Sequence, residues 1–165
     1  YFGKTKVTEH TLSSCREEIT AIYSDFHLFK RLFGLKVQAE RVDTLLAALQ
    51  LSDKVRVTDN EFSTTSLSDG QRKRLALLVS VLEDKQLYLF DEWAADQDPE
   101  FKAVFYTKIL PQLKAENKAV VVISHDDRYF SVADRIIRME QELLSVHQAK
   151  QFVYSPSPEL AELTD

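Results

Sequence analysis

The segment from residue 67 to residue 99 constrains the fold of this chain more than any other stretch. It reads LSDGQRKRLALLVSVLEDKQLYLFDEWAADQDP. Ser68 is a favourable N-cap residue, and apolar residues recur at helical spacing from Leu75 to Leu82. The sequence therefore predicts a helix that begins near Ser68. The dipole-positive end of that helix, together with the Ser68 hydroxyl and a Gly70 that has no side chain, suits a phosphate group.

A short apolar strand follows this helix and ends on two carboxylates. Residues 87–90 form an apolar run typical of a strand buried in a parallel sheet, and Asp91 and Glu92 come directly after it. Ligands of open α/β sheets bind at the carboxyl ends of the strands. One carboxylate could hold a metal ion there while the other takes a proton from water. An isolated acidic pair is more often a solvated loop cap, so the neighbouring motifs decide between the two interpretations.

These motifs resemble those of ABC-type ATPases, and they occur in the order of that family. Residues 68–71 resemble the signature motif, residues 87–92 the Walker B strand and residues 95–98 the D-loop. The run AVVVISHDD, which contains His125, resembles the strand of the switch histidine. More narrowly, SDFHLF, LSDGQRKRLALL, FDEWAADQDPEF and SHDDRYF are similar to the bacterial branch that exports cyclic peptides and siderophores.

The resemblance implies an α/β fold with a P-loop-NTPase-like core, in which helices flank a parallel sheet, plus a helical subdomain. It also implies that the N-terminal part of the core is missing. Residues 1–24 would be a remnant of the N-terminal β region, and residues 25–83 would be the helical subdomain with the signature helix. Residues 84–165 would be the C-terminal part of the core. A chain of 165 residues is long enough for effectively one compact domain.

Local patterns predict the other elements. Residues 1–8 are typical of the end of a hairpin, residues 11–18 of a short helix that Ser13 or Ser14 could cap, and residues 59–66 of a polar turn. Residues 42–49 have helical apolar spacing, and a helix capped by Asp98 begins at Pro99 and is kinked or ended by Pro111. Residues 119–123 form a buried strand. A short helix over residues 126–133, a closing pair of strands and a tail with a break at residues 155–158 before a last helical turn follow. His27 is expected to be a loop histidine that faces solvent or a partner.

The chemistry that the resemblance implies is ATP hydrolysis with Mg²⁺. By analogy with the family, Asp91 would hold Mg²⁺ through water. Glu92 would act as the general base that polarises the attacking water, and His125 would contact the γ-phosphate. We expect these three residues to share one edge of the sheet.

The resemblance also implies a second ATPase domain, arranged head to tail with this one. Ser68, Gly70 and Gln71 would bind the ATP held by the opposite protomer, and Asp98 would link the two protomers. Ser24 takes the position of the Q-loop glutamine, where its shorter hydroxyl can still reach a water bound to the metal. The flank of that loop would contact a transmembrane domain.

Two positions depart from the usual family pattern. Asp69 stands where most of the family has glycine, and a carboxylate beside phosphates is unfavourable unless a cation offsets its charge. We expect Arg72 or Lys73, one turn further on, to provide that charge. At the Q-loop position, Asp25 could substitute for the glutamine that Ser24 replaces.

A complete P-loop is missing from the sequence. The tripeptide Gly3-Lys4-Thr5 ends like one, but a P-loop needs another glycine five residues earlier, and the only other glycines are Gly34 and Gly70. The P-loop lysine and backbone normally supply much of the charge that positions the phosphates. We therefore expect this chain to be a piece of a longer ATPase, with weak ATP affinity and no turnover by itself.

Composition excludes several other classes of protein. With 26 acidic and 21 basic residues the net charge is −5, and no basic block is longer than residues 72–74, so a nucleic-acid partner is not indicated. The apolar runs are far shorter than the ~20 residues of a membrane helix. We therefore expect that this chain does not itself span a bilayer. The resemblance implies a domain at the cytoplasmic face of the bacterial inner membrane that drives the export of peptides, siderophores or related compounds through a separate membrane domain.

Two alternatives remain open from the sequence. The first is a non-catalytic regulatory or dimerisation module that offers its signature face to a complete ATPase, and the retained Glu92 and His125 argue mildly against it. The second is an ABC ATPase that acts on DNA or ribosomes. The absence of basic patches and the SDFHLF junction disfavour the second alternative.

Overall fold

The computed structural model describes residues 1–35, 37–140 and 143–148, which fall into two compact units. The first unit is Tyr1–Ser124 and the second begins at His125. The α-helices are α1 (Leu12–Glu17), α2 (Ala39–Ala48), α3 (Asp69–Glu83), α4 (Pro99–Val104) and α5 (Leu110–Ala115). The strands are β1 (Ile19–Ile22), β2 (Val57–Thr58), β3 (Glu61–Phe62), β4 (Leu87–Asp91), β5 (Ala119–Ile123), β6 (Arg135–Glu140) and β7 (Leu143–Gln148).

A three-stranded parallel sheet in the order β1-β4-β5 forms the centre of the first unit. Leu87 of β4 pairs with Ile19 on one side and with Ala119 on the other. Asp91, the last residue of β4, is paired with Ile123. Because the strands are parallel, their carboxyl ends meet at one edge. This sheet and its helices confirm the predicted α/β fold, whereas the division into residues 1–24, 25–83 and 84–165 stays a prediction.

The two faces of the sheet differ in burial. Tyr88 and Phe90 of β4 are each 1% exposed, while Val121 and Ile123 of β5 are 47% and 48% exposed. The sequence correctly predicted a strand over residues 119–123, but the prediction that it is buried is wrong. β5 is one of the two edge strands of the described sheet, and alternate residues of a strand face opposite sides, so one set of its side chains is left about half exposed.

Aromatic side chains fill the buried side of the sheet. The Trp93 ring stacks on Phe105 with centroids 4.3 Å apart, and Phe90 meets Phe105 edge-on at 5.3 Å. Trp93 and Phe105 are 1% and 0% exposed. Trp93 therefore anchors the loop that follows β4 in the core.

The region between β1 and α3 contains one predicted helix and one hairpin that the sequence did not predict. Helix α2 buries Val42 and Leu46, as its periodicity indicated. Residues 59–66 were expected to form a polar turn, but β3 begins within them and Phe62 is 0% exposed. Asp59 and Asn60 have φ of 51° and 59°, which gives the tight turn between β2 and β3.

The N-terminal residues form a tight turn and a short helix. Phe2 and Thr5 exchange backbone hydrogen bonds of 2.8 and 3.0 Å around Gly3, whose φ is +57°. This turn matches the predicted hairpin end and not a P-loop. The predicted helix α1 is present, but Thr11 holds its N-cap position, whereas Ser13 and Ser14, the residues expected to cap it, lie inside the helix.

The helix predicted to begin at Pro99 has an unexpected interruption. Asp98 caps it, as expected, but a π-helical turn, Phe105–Ile109, separates α4 from α5. Pro111 lies in the first turn of α5, which continues to Ala115. Pro111 therefore does not end the helix, but the irregularity lies in the turn directly before it, where a proline removes a backbone N–H and its ring crowds the Thr107 carbonyl.

The second unit contains a 3₁₀ helix, Asp127–Val132, and the antiparallel pair β6 and β7. The sequence predicted a short helix and two closing strands here, and all three are present. The tail, which was expected to contain a break at residues 155–158 and a last helical turn, lies outside the described residues. No helix within the described ranges has the length and apolar character that a membrane span requires.

Candidate functional site

The N-terminus of α3 is closed by a capping box. The Gln71 backbone N–H donates to Ser68 Oγ at 3.4 Å, and the Ser68 N–H donates to Gln71 Oε1 at 3.3 Å. Two of the three predicted phosphate-binding residues thus form the cap itself. Ser68 is exposed, so this end of the helix faces solvent with its remaining N–H groups.

Gly70 lies against the loop that follows β4. A Cβ atom added to Gly70 would lie 2.7 Å from the carbonyl oxygen of Asp96, closer than real Cβ atoms approach. The Gly70 carbonyl also accepts a hydrogen bond from Gln97 Nε2 at 3.0 Å. The sequence pointed to phosphate approach as the reason for this glycine, and the structure adds close packing against the D-loop.

The charge of Asp69 is offset by only one of the two expected partners. Arg72 Nη1 lies 3.8 Å from Asp69 Oδ1, and its guanidinium stands 5.8 Å from the ring centroid of Phe26. Lys73 is instead paired with Asp96, so the expectation that it could serve Asp69 is wrong. The Asp69 side chain is 84% exposed, and an ion pair in water is worth little stability.

Asp91 and Glu92 lie at the carboxyl edge of the sheet, as predicted. The Glu92 backbone N–H donates to the Ile123 carbonyl at 3.1 Å, so the chain leaves β4 while it is still attached to β5. Glu92 has φ of +50°, a left-handed conformation that is uncommon for a residue with a side chain. This bend turns the next residue, Trp93, into the core.

Asp98 holds the start of α4 and an arginine of α3. Its Oδ1 accepts from the Phe101 backbone N–H at 2.9 Å, and its Oδ2 is ion-paired with Arg74 Nη2. The Phe101 N–H, with the Arg74 guanidinium adding to it, holds the pKa of Asp98 below its ordinary value of 3.8. The role predicted for Asp98, a link between protomers, stays a prediction. Within this chain the Asp98 carboxylate caps α4 and pairs with Arg74 of α3.

Ser24 and His125 were both expected at the same edge. Ser24 is exposed and follows β1, whose partner is β4, so it lies at the carboxyl edge with Asp91. His125 comes directly after Ser124 and is the first residue of the second unit. Its predicted contact with a γ-phosphate stays a prediction. No group of three or more His, Cys, Asp or Glu side chains placed to hold a metal occurs in the described part of the chain.

Three residues that connect α3 to the loop after β4 were not recognised from the sequence: Lys73, Arg74 and Gln97. All three are buried, at 3%, 8% and 6% exposure. Arg74 Nε donates to Gln97 Oε1 at 2.9 Å, and its guanidinium lies 3.7 Å from the Phe101 centroid. The sequence held one signal for Lys73 and Arg74. They come directly before the apolar stripe of α3, and a helix normally packs that stripe against the core.

An aromatic surface lies beside the SDFHLF segment. Phe29 and Phe33 are 60% and 67% exposed and meet edge-on at 6.0 Å, and His27 meets Phe29 at 4.7 Å. A cavity of about 320 Å³ opens next to them, lined by residues of β1, of the segment 26–35 and of α3. His27 contacts the ring of Phe29 and is exposed, so it faces solvent as one of the two expected alternatives, while contact with a partner stays a prediction.

Comparisons with known proteins bear on this arrangement of motifs. The chain is 48% identical over 138 residues to the ATP-binding protein SyrD of Pseudomonas syringae pv. syringae, which covers 81% of this chain and 24% of SyrD. It is 26% identical over 139 residues to the macrolide export ATP-binding/permease protein MacB 1 of Yersinia pestis bv. Antiqua (strain Antiqua), covering 84% of this chain and 19% of MacB 1.

A third relative is the putative hemin import ATP-binding protein HrtA of Staphylococcus aureus (strain MRSA252), 28% identical over 102 residues, or 62% of this chain and 44% of HrtA. The chain therefore spans about a quarter of SyrD and less than half of the other two. Residues 1–95, more than half of the chain, match the family model described as ABC transporter. The order of the motifs and this match together show that the chain belongs to the ABC transporter family.

Proposed function

We propose that this chain is part of the ATP-hydrolysing domain of a bacterial ABC exporter, and that hydrolysis there drives efflux of peptides, siderophores or related compounds. The observation that carries the proposal is the joint position of two motifs. Asp91 and Glu92 end the central strand, and the capped end of α3 is fixed to the loop directly after them. SyrD is named an ATP-binding protein, which supports ATP binding, and MacB 1 is named a macrolide export ATP-binding/permease protein, which supports export.

The two carboxylates suit the division of labour that this chemistry needs. Asp91 would hold Mg²⁺ through water, since Mg²⁺ usually keeps several waters and uses one or two protein carboxylates plus phosphate oxygens. When bound, the ion neutralises charge on the phosphates. Glu92 would take the proton of the attacking water, and His125 would donate a hydrogen bond to the γ-phosphate.

A second ATPase domain would complete the site. The exposed end of α3 has free N–H groups and a positive dipole, so Ser68, Gly70 and Gln71 would face the γ-phosphate of ATP held by a head-to-tail partner. Asp98 would lie at the junction of the two protomers. The exposed sheet face at Val121 and Ile123 fits a chain that is covered by further protein, because both faces of a parallel sheet are normally packed.

The aromatic surface of Phe29 and Phe33 would contact the membrane domain. Exposed aromatic rings beside an apolar cleft are typical of protein interfaces, and this surface follows the Q-loop position at Ser24. Such a contact would put the chain at the cytoplasmic face of the bacterial inner membrane. We propose no nucleic-acid partner, given the net charge of −5.

The test is phosphate release from Mg-ATP by the natural polypeptide that contains this chain, in its membrane complex. We predict that Glu92→Gln lowers turnover by about 100-fold or more, because the amide cannot take a proton. Glu17→Gln, which alters an exposed carboxylate on α1, is the matched control and should leave turnover unchanged. Release of no phosphate by the wild type would favour the non-catalytic regulatory or dimerisation module.

A further inference from the structure

Lys73 is a buried lysine whose charge is compensated at two points of one loop. Its side chain is 4% exposed, and its Nζ lies 2.6 Å from Asp96 Oδ2. The same Nζ donates to the Glu92 carbonyl at 3.2 Å. A buried ammonium is costly unless it is paired and hydrogen-bonded, so these two contacts are strongly favoured over solvent-exposed alternatives. Lys73 thus bridges the beginning and the end of the segment 92–96.

The main chain of Lys73 holds the same segment from a second direction. Trp93 Nε1 donates to the Lys73 carbonyl at 3.1 Å, and the Trp93 ring is 1% exposed. Lys73 therefore holds two consecutive residues of the loop. Its ammonium donates to the Glu92 carbonyl, and its carbonyl accepts from the Trp93 indole. A left-handed backbone such as that of Glu92, with φ of +50°, persists only when its surroundings over-determine it.

The neighbours of Lys73 join the same stretch of loop to α3. Gln97 accepts from Arg74 at 2.9 Å and donates to the Gly70 carbonyl at 3.0 Å. Gly70 also packs against the Asp96 carbonyl with no room for a Cβ. The first two turns of α3 and residues 92–98 consequently form one tightly connected body within the first unit.

We propose that Lys73 is a positioning residue for Glu92: it holds the backbone of the general base in its left-handed bend, and so ties the direction of the carboxylate to helix α3. The inference rests on the function proposed above. It assigns a role in turnover to a residue whose side chain is buried and paired with Asp96. Small displacements of a reacting group lower rates steeply, by about 100-fold for 1 Å, so release of the Glu92 backbone should affect turnover more than binding.

The test compares two buried lysines in the natural polypeptide. Lys73→Met keeps the length of the side chain and removes the ammonium. Lys118→Met is the matched control, because the Lys118 side chain is 9% exposed and its Nζ contacts Asp84 Oδ1 at 2.9 Å and the Asp84 carbonyl at 3.4 Å. The control thus loses the same kind of carboxylate and carbonyl contacts, away from residues 92–98.

We predict that Lys73→Met lowers kcat for ATP about 30-fold while KM changes less than about threefold, as expected when an interaction that acts only in the transition state is lost. Lys118→Met should keep kcat per folded molecule, and Lys73→Arg should recover part of the rate. Should Lys73→Met fail to fold, Asp96→Asn, which neutralises a carboxylate 52% exposed, takes its place with the same expected split.

A second measurement, which does not depend on turnover, reports the contact between Lys73 and the loop at Glu92 and Trp93. Trp93 is the only tryptophan of these 165 residues, so the fluorescence of this chain, measured by itself, follows the loop. In Lys73→Met the emission should move to longer wavelength and acrylamide quenching should increase, with neither change in Lys118→Met. Normal kcat in Lys73→Met beside an inactive Glu92→Gln would overturn the inference alone. Absence of turnover in the wild type would overturn the proposed function and the inference with it.

Discussion

Gly70 lies where a side chain would collide with the backbone of the D-loop. The predicted contact of an added Cβ with the Asp96 carbonyl oxygen is 2.7 Å, and backbone yields less readily than a flexible side chain. Gly70 is also inside a helix, where alanine is ordinarily favoured over glycine by about 1 kcal/mol. The two effects have opposite signs, so one substitution can decide between them.

We predict that Gly70→Ala lowers the free energy of unfolding of this chain by about 1–3 kcal/mol, because overpacking outweighs helix propensity. Chemical denaturation followed by circular dichroism measures the change. Asp69→Ala, at a neighbouring position that is 84% exposed, should change it by less than about 0.5 kcal/mol and serves as the control. A stabilised Gly70→Ala would contradict the packing described for this glycine.

At the same scale, the sequence predicted residue identities better than residue contacts. Ser68, Asp91 and Asp98 are where their local patterns put them, because caps and strand ends depend on a few adjacent residues. Lys73 was not recognised as buried, because its partners lie at Glu92 and Asp96. No periodicity within α3 shows which residues of a distant loop return to it.

At the scale of elements, the central strand β4 carries a phenol whose ionisation opposes folding. Burial raises the pKa of Tyr88 to about 12, with the charges of Asp84 and Glu116 adding to the effect. A raised pKa means that the folded state prefers the neutral phenol. The associated stability is fully present below the unfolded pKa of 10.0 and is lost as the pH rises towards about 12.

We therefore predict that Tyr88 ionises late in a titration followed by tyrosinate absorbance. The wild type should lose stability between pH 10 and about 12 more steeply than Tyr88→Phe, which lacks the ionisable group. Titration of all the tyrosines together near pH 10 in the folded chain would show that β4 is not buried as described.

The elements themselves were predicted with uneven success. Long periodic or uniformly apolar stretches gave α2, α3, β4 and β5 correctly. The two-residue strands β2 and β3 were missed, since a hairpin that short has almost no periodicity. The form of the π-helical turn before α5 was also missed, because Pro111 indicates that the helix is disturbed but not how.

At the scale of the molecule, fold class and family followed from the order of four motifs. The exposure of β5 could not be predicted from these motifs. An apolar run predicts a buried strand, but it does not show whether protein within the same chain covers that strand. In the described residues Val121 and Ile123 are about half exposed. This exposed face, and a chain that spans about a quarter of SyrD, agree with the proposal that the chain functions with further protein around it.

We propose that this chain supplies the signature helix and the catalytic carboxylate of an ATPase site but not its phosphate cradle. The first measurement to make is therefore calorimetry of Mg-ATP binding to this chain, with phosphate release followed in parallel. We predict binding weaker than about 1 mM and no phosphate release. Tight binding with turnover that is abolished in Glu92→Gln would contradict it, because the chain would then assemble a phosphate site of its own.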